Sequence, residues 1–190
     1  MPNASRRKRI RGRLERLGVD TGAPGFYDQP AFAAEEARDP DFLETYAWFV
    51  EDLDFTPEYL ARARTRIREA ATFMFEELRE DGRTGACIDA STVLGRMLDR
   101  EGIWNYAVKG ALTILPPPVA GCRPTHFGPI VLPGNPASAG HVWLVAPPYR
   151  IVDVTVSRQT YHRGELGYLP DLTLAESAQP AHAAPADLLD

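Results

Sequence analysis

Apolar residues in the first half of the chain recur at steps of three and four, which is typical of amphipathic helices. One such stretch starts near Asp41. A second covers residues 57–79, after Thr56 in the position of an N-cap. A third runs from about Cys87 to about Gly102, after a segment of turn-forming residues. The pattern therefore predicts three helices, with Cys87 in the first turn of the third.

The second half of the chain has a composition typical of strands. Residues 104–115 are rich in aromatic, branched and small side chains and are predicted as one strand. The proline- and glycine-rich residues 116–139 predict a long loop, with room for a short strand at 130–132. Residues 141–145 and 149–156 are predicted as an antiparallel hairpin. We therefore expect an α+β fold with helices packed on a small antiparallel sheet.

The 190 residues, 44% of them hydrophobic, are enough for one ordinary core. We predict an N-terminal extension over residues 1–40, basic and then acidic, and a single domain over residues 41–170. Residues 171–190 are predicted to be a disordered tail, because alanine, proline and glutamine dominate there. The usual interpretation of the basic stretch from Arg6 to Arg16 is a solvated helix facing an acidic one; a phosphate-binding arm is the alternative.

The formal net charge of -5 argues against general affinity for nucleic acid, which we do not expect as a partner. No apolar run approaches the roughly 20 residues that span a bilayer, so we expect no membrane association. The two cysteines and the polar start of the chain favour a cytoplasmic protein. Nothing in the sequence predicts a cofactor or an oligomeric state.

One cysteine lies where a thiol could act as a nucleophile. Thiols attack as thiolates, and a free cysteine with a pKa of about 8.5 is mostly protonated at neutral pH. The start of a helix stabilises a thiolate, and Cys87 is predicted at such a position. An imidazole supplies further stabilisation, and the chain has four histidines. His162 and His182 lie in segments that we expect to be poorly fixed, His126 is kept as an alternative, and His141 begins a predicted strand.

The predicted hairpin brings His141 opposite Asp153 or a neighbour of that residue. A carboxylate there would fix the tautomer of the imidazole, although a bulge would shift the register. Trp143 is a candidate for contact with substrate, but filling the core is the more common role of tryptophan. Cys122 and His126 are too few ligands for a metal site, so no metal is predicted.

Several short motifs occur in an order that resembles the transglutaminase-like superfamily, which has a papain-like core. They are Gly85-Ala86-Cys87, Val108-Lys109-Gly110, Gly140-His141-Val142-Trp143 and Ile151-Val152-Asp153-Val154-Thr155. The resemblance covers about residues 57–157 and implies a catalytic triad, with Cys87 as nucleophile, His141 as base and Asp153 orienting the histidine. Val154 stands where the family usually has proline.

The resemblance implies a cysteine-dependent amide hydrolase or acyltransferase that forms a thioester on the enzyme. The substrate would be a peptide, a protein or a small amide. Some members of the superfamily have silent sites, so the alternative is a catalytically silent interaction protein that uses its charged N-terminal surfaces. A shared fold indicates a class of reaction and does not name the substrate.

Overall fold

Helices come first along the chain and strands follow. A computed structural model describes residues 3–115, 119, 121, 125–128, 140–159 and 169–177. The α-helices within these ranges are α1 Ala4–Arg16, α2 Pro30–Glu36, α3 Glu44–Glu51, α4 Pro57–Asp81 and α5 Cys87–Arg100. The strands are β1 Tyr106–Gly110, β2 Leu112–Ile114, β3 Thr125–Phe127, β4 His141–Ala146, β5 Tyr149–Asp153 and β6 Thr173–Ala175. The expected α+β class, with helices against a small antiparallel sheet, is confirmed.

The main sheet has four antiparallel strands in the order β1-β4-β5-β6, and β2 pairs with β3 in a separate sheet. β1 pairs with β4 so that Gly110 is opposite His141. β4 and β5 form the predicted hairpin, connected by Pro147 and Pro148, and a bulge shifts their register. His141 and Asp153 therefore belong to the two central strands of the sheet.

The long helix α4 confirms the clearest prediction from periodicity. The Thr56 hydroxyl oxygen accepts a hydrogen bond from the Tyr59 N–H at 3.2 Å, and Gly82 ends the helix with a left-handed φ of 69°. The apolar face of α4 packs with α5 and the sheet in one core cluster, whose fully buried members include Ala63, Ile67, Ala71, Ala90, Leu98 and Ile103. This cluster fixes the position of α5 against the sheet.

A second, aromatic cluster is built mainly by the first 50 residues. Its buried members are Ile10, Leu14, Val19, Phe26, Phe32, Phe42, Tyr46, Phe49 and Val50. Trp104 and Tyr106 pack against it from the start of β1. Residues 1–40, predicted as an extension, thus share a hydrophobic core with residues of the predicted domain.

The basic helix α1 faces acidic residues at the end of α3, as the usual interpretation of the charge pattern predicts. Arg6 donates hydrogen bonds to Asp52, and Arg7 pairs with Asp54 at 2.8 Å. The hydrogen bond from Arg6 lowers the pKa of the Asp52 carboxyl. These pairs orient α1, whose Ile10 and Leu14 point into the aromatic cluster.

Two predicted strand boundaries are wrong. Residues 104–115 form two strands in different sheets, because pairing with β4 ends at Gly110 and the chain beyond it pairs with β3. The strand predicted over residues 149–156 ends at Asp153, since the Asp153 side chain bonds the N–H of Thr155 and turns the chain.

Two predicted segments also need correction. β3 lies inside the loop predicted over residues 116–139, while the short strand predicted at 130–132 lies outside the described residues. β6 lies inside the predicted tail, because residues 173–175 pair with β5. Residues 178–190 of that segment lie outside the described part of the chain.

Candidate active site

A buried histidine and a buried aspartate from the two central strands form a hydrogen-bonded pair. His141 Nε2 lies 2.5 Å from Asp153 Oδ2, and the two side chains are 1% and 5% exposed. The predicted contact between these side chains is confirmed. The bulge places Leu144 opposite Val152, so that Asp153 meets His141 diagonally across the hairpin.

The other oxygen of the aspartate is held by Thr155. Asp153 Oδ1 accepts hydrogen bonds from the Thr155 N–H at 2.7 Å and from its hydroxyl at 2.9 Å. Both residues are buried, so the carboxylate is fixed from two sides. This role of Thr155 was not predicted from the sequence, although a threonine two residues after an aspartate is a signal for such a turn.

The pairing leaves one ring nitrogen of His141 free. A carboxylate accepts hydrogen bonds, so Nε2 carries the proton and Nδ1 keeps its lone pair in the neutral ring. Nδ1 is buried, and no described residue forms a hydrogen bond with it. A buried polar atom without a partner costs about 1–3 kcal/mol. Nδ1 is therefore the atom of this pair that can take up a proton.

Trp143 lies beside the histidine and closes one side of the site. Its ring is stacked with that of His141, with centroids 6.1 Å apart and planes 25° apart. The indole also lies against β1 at Gly110, where an added Cβ would be 2.6 Å from Trp143 Cη2. Glycine is needed at this position, because any side chain would displace the indole. No contact here tests the predicted role of Trp143 in substrate binding.

Cys87 is the first residue of α5, as predicted. Its N-cap, Ala86, has no side-chain oxygen to bond the N–H groups of the first turn. A helix start of this kind presents unpaired N–H groups and the positive end of the helix dipole. The thiol is free of disulfide bonding, and the residue is 7% exposed. In the same turn, Asp89 pairs with Arg83 at 2.6 Å on the surface.

Helix α5 and strand β4 lie side by side and run in the same direction. The Ser91 hydroxyl donates a hydrogen bond to the Val142 carbonyl at 3.2 Å. One helical turn later, Gly95 lies against Leu144, because a Cβ added at the glycine would be 3.7 Å from Leu144 Cδ2. Four helical residues rise about 6 Å and two strand residues about 6.6 Å, so this register is maintained along both elements.

Continuing the register by one turn towards the start of α5 predicts that Cys87 lies beside Gly140 and His141. Side chains alternate along β4, so His141 and Trp143 project from the opposite face to Leu144. The thiol would reach the imidazole around Gly140, which has no side chain to block the path. The structure shows no hydrogen bond between Cys87 Sγ and His141 Nδ1, so their contact stays a prediction.

The other candidate residues lie outside what the structure describes. These are Cys122, His162, His182 and the side chain of His126. Among the described residues, no group of three or more histidine, cysteine, aspartate and glutamate side chains could hold a metal ion.

The chain matched none of the protein-family models, curated proteins or solved structures with which it was compared. Of the helices in the described ranges, none combines the length and the apolar character needed to cross a membrane.

Proposed function

We propose that the chain is a cysteine-dependent amide hydrolase or acyltransferase of the transglutaminase-like kind. Cys87 is the nucleophile, His141 is the general base and acid, and Asp153 orients the histidine. The observation that supports this most is the buried pair of His141 and Asp153, in which no described residue forms a hydrogen bond with His141 Nδ1. A nucleophile, a base and a group that orients the base are the parts that thiol catalysis requires.

In the first half-reaction, the thiolate of Cys87 attacks the carbonyl carbon of the amide. The C–N bond breaks, and the leaving nitrogen takes the proton from Nδ1 of the His141 imidazolium and departs as an amine. The acyl group remains on sulfur as a thioester. The backbone N–H of Cys87 is one natural donor to the oxyanion that forms during the attack.

In the second half-reaction, water or another amine attacks the thioester carbon. His141 Nδ1 accepts the proton of the attacking group, the C–S bond breaks, and the thiolate is restored. Water gives a carboxylic acid and an amine gives a new amide. Asp153 stabilises the imidazolium, which is present before the first half-reaction and forms again during the second.

A catalytically silent interaction protein is the second candidate. The low exposure of Cys87, 7%, favours it, because most buried cysteines act as small hydrophobic residues. The exposed cations Lys8, Arg9 and Arg16 of α1 would supply a partner surface, since none of the described carboxylates forms an ion pair with them.

Alkylation of the intact protein with iodoacetamide at about pH 6 separates the two candidates, because free cysteine is almost fully protonated there. An enzyme should be alkylated at Cys87 faster than free cysteine, as followed by intact mass and peptide mapping. Cys87→Ala should lose the adduct and Cys122→Ala should keep it. An adduct that persists in Cys87→Ala, or a Cys87 no faster than free cysteine, contradicts the proposed enzyme.

A further inference from the structure

Arg158 connects the segment that follows Asp153 to the segment that precedes the thiol. It ends a short 3₁₀ turn, five residues after Asp153. Its Nε donates a hydrogen bond to the Arg83 carbonyl at 3.3 Å, and Nη2 donates to the Leu78 carbonyl at 3.2 Å. Its own carbonyl accepts a hydrogen bond from the Gly85 N–H at 2.9 Å. Arg158 thus forms hydrogen bonds with three residues that precede α5 in the chain.

The groups that Arg158 contacts lie at the end of α4 and in the connection to α5. Leu78 lies in the last turn of α4, where carbonyls lack helical partners and favour a cation. Arg83 and Gly85 belong to the short connection between α4 and α5. Gly85 has a φ of 69°, a left-handed conformation that glycine adopts without strain, and Cys87 follows two residues later.

Hydrogen bonds through Thr155 also connect Arg158 to the Asp153 carboxylate. Asp153 Oδ1 binds the backbone and the hydroxyl of Thr155, and the Arg158 N–H donates to the Thr155 carbonyl at 2.9 Å. Each step of the path is a direct hydrogen bond or a few covalent bonds. A shift of the connection before α5 would therefore move the thiol relative to the carboxylate that holds His141.

We propose that Arg158 is a positioning residue that sets the thiol of Cys87 against the pair of His141 and Asp153. This proposal rests on the proposed function. The guanidinium has the fixed fork of donors needed to bond two separate carbonyls, whereas a lysine ammonium is a single point of donation on a flexible stem. Arg158 touches neither substrate nor reacting atoms in this role.

The test compares Arg158→Met, which keeps an unbranched stem and removes the donors, with Arg158→Lys. Arg62→Ala is the matched control, because Arg62 donates to the Glu101 carbonyl at 3.0 Å at the far end of α5. Alkylation of Cys87 by iodoacetamide is followed from about pH 5 to pH 9, where thiols become ionised. Urea unfolding of each variant reports the stability of the fold separately.

We expect Arg158→Met to lower the alkylation rate at about pH 6 by about tenfold, the change in thiolate population that one pH unit produces. Its rate at about pH 9 should stay within about twofold of the wild type, because the thiol is then ionised without help. Arg158→Lys should be intermediate at about pH 6, and Arg62→Ala should keep the wild-type profile.

The proposal is overturned if Arg158→Met keeps the wild-type profile, or if its rate falls equally at both ends of the pH range. If Arg158→Met does not unfold cooperatively, Arg158→Lys decides: a rate equal to the wild type at about pH 6 overturns the proposal. A wild-type protein that reacts no faster than free cysteine instead overturns the proposed function itself, and Arg158 has nothing to position.

Discussion

Replacing Asp153 with asparagine keeps the shape of the side chain and removes the charge that holds His141. The carboxylate receives three hydrogen bonds, one from His141 Nε2 and two from Thr155. Alanine at this position would leave three buried donors without an acceptor, at about 1–3 kcal/mol each, which is a large part of the stability of a domain. Asparagine is the sharper change, because its oxygen still accepts both hydrogen bonds from Thr155.

The expected loss of stability in Asp153→Asn follows from the hydrogen bond with His141, which is no longer a bond to a charged group. A hydrogen bond to a charged group contributes about 1.5–3 kcal/mol and a neutral one about 0.5–1.5 kcal/mol, so the free energy of unfolding should fall by about 1–2 kcal/mol. The asparagine amide donates where the carboxylate accepted. His141 then accepts at Nε2 and carries its proton on Nδ1, the nitrogen that the proposed mechanism needs as a base.

Urea unfolding and alkylation of Cys87 at about pH 6 measure the two effects in the same samples. Asp153→Asn should lose the rapid alkylation while remaining folded. Asp99→Asn is the control, because Asp99 accepts hydrogen bonds from Tyr27 at 2.6 Å and Asn105 at 2.9 Å, away from the site. It should be alkylated like the wild type. An Asp153→Asn protein with the wild-type alkylation rate would refute the assigned roles of Asp153 and His141.

Gly110→Ala should lower the free energy of unfolding by about 1–3 kcal/mol in urea, because its Cβ would lie 2.6 Å from Trp143 Cη2. Gly12→Ala, where the nearest atom would be 3.7 Å away in a helix, should be neutral or stabilising, and equal effects of the two changes would contradict this account. The lowered pKa of Asp52, caused first by the hydrogen bond from Arg6, stabilises the fold above the unfolded-state carboxyl pKa of about 3.9. This stability is lost as the pH falls through the lower pKa of the folded state, so Asp52→Asn should reduce the thermal midpoint more at about pH 6 than at about pH 2. An equal reduction at both pH values would contradict this stabilising role of the Asp52 carboxylate.

Local sequence patterns were sufficient for the elements that carry the candidate site. The three- and four-residue spacing within residues 57–79 predicted α4, and turn-forming residues before Cys87 predicted the start of α5. The two prolines between the predicted strands indicated the hairpin. These signals involve residues close together in the chain, and the contact of His141 with Asp153 followed because a hairpin restricts the partners of each residue.

Features that depend on distant partners could not be predicted in this way. The break between β1 and β2 reflects where β4 begins, about thirty residues later. The register of β4 and β5 depends on a bulge, which no local pattern indicated. Phe26 and Phe32 lack helical periodicity. Phe26 is buried against Trp104 and the aromatic residues Tyr46 and Phe49 of α3. Phe32 is buried against Phe26 and Phe42. The predicted boundary between an extension and a domain at residue 40 was based on composition alone, which does not reveal such packing.

The order of the strands also determines when the site can be completed during synthesis. His141 follows Cys87 by 54 residues, and β6, which covers the far side of β5, follows later still. At about 5–20 residues per second, a ribosome adds those residues in several seconds. The growing chain therefore carries its thiol well before the imidazole exists, and the hairpin that bears His141 and Asp153 pairs with β6 only after the ribosome has added the residues up to Ala175.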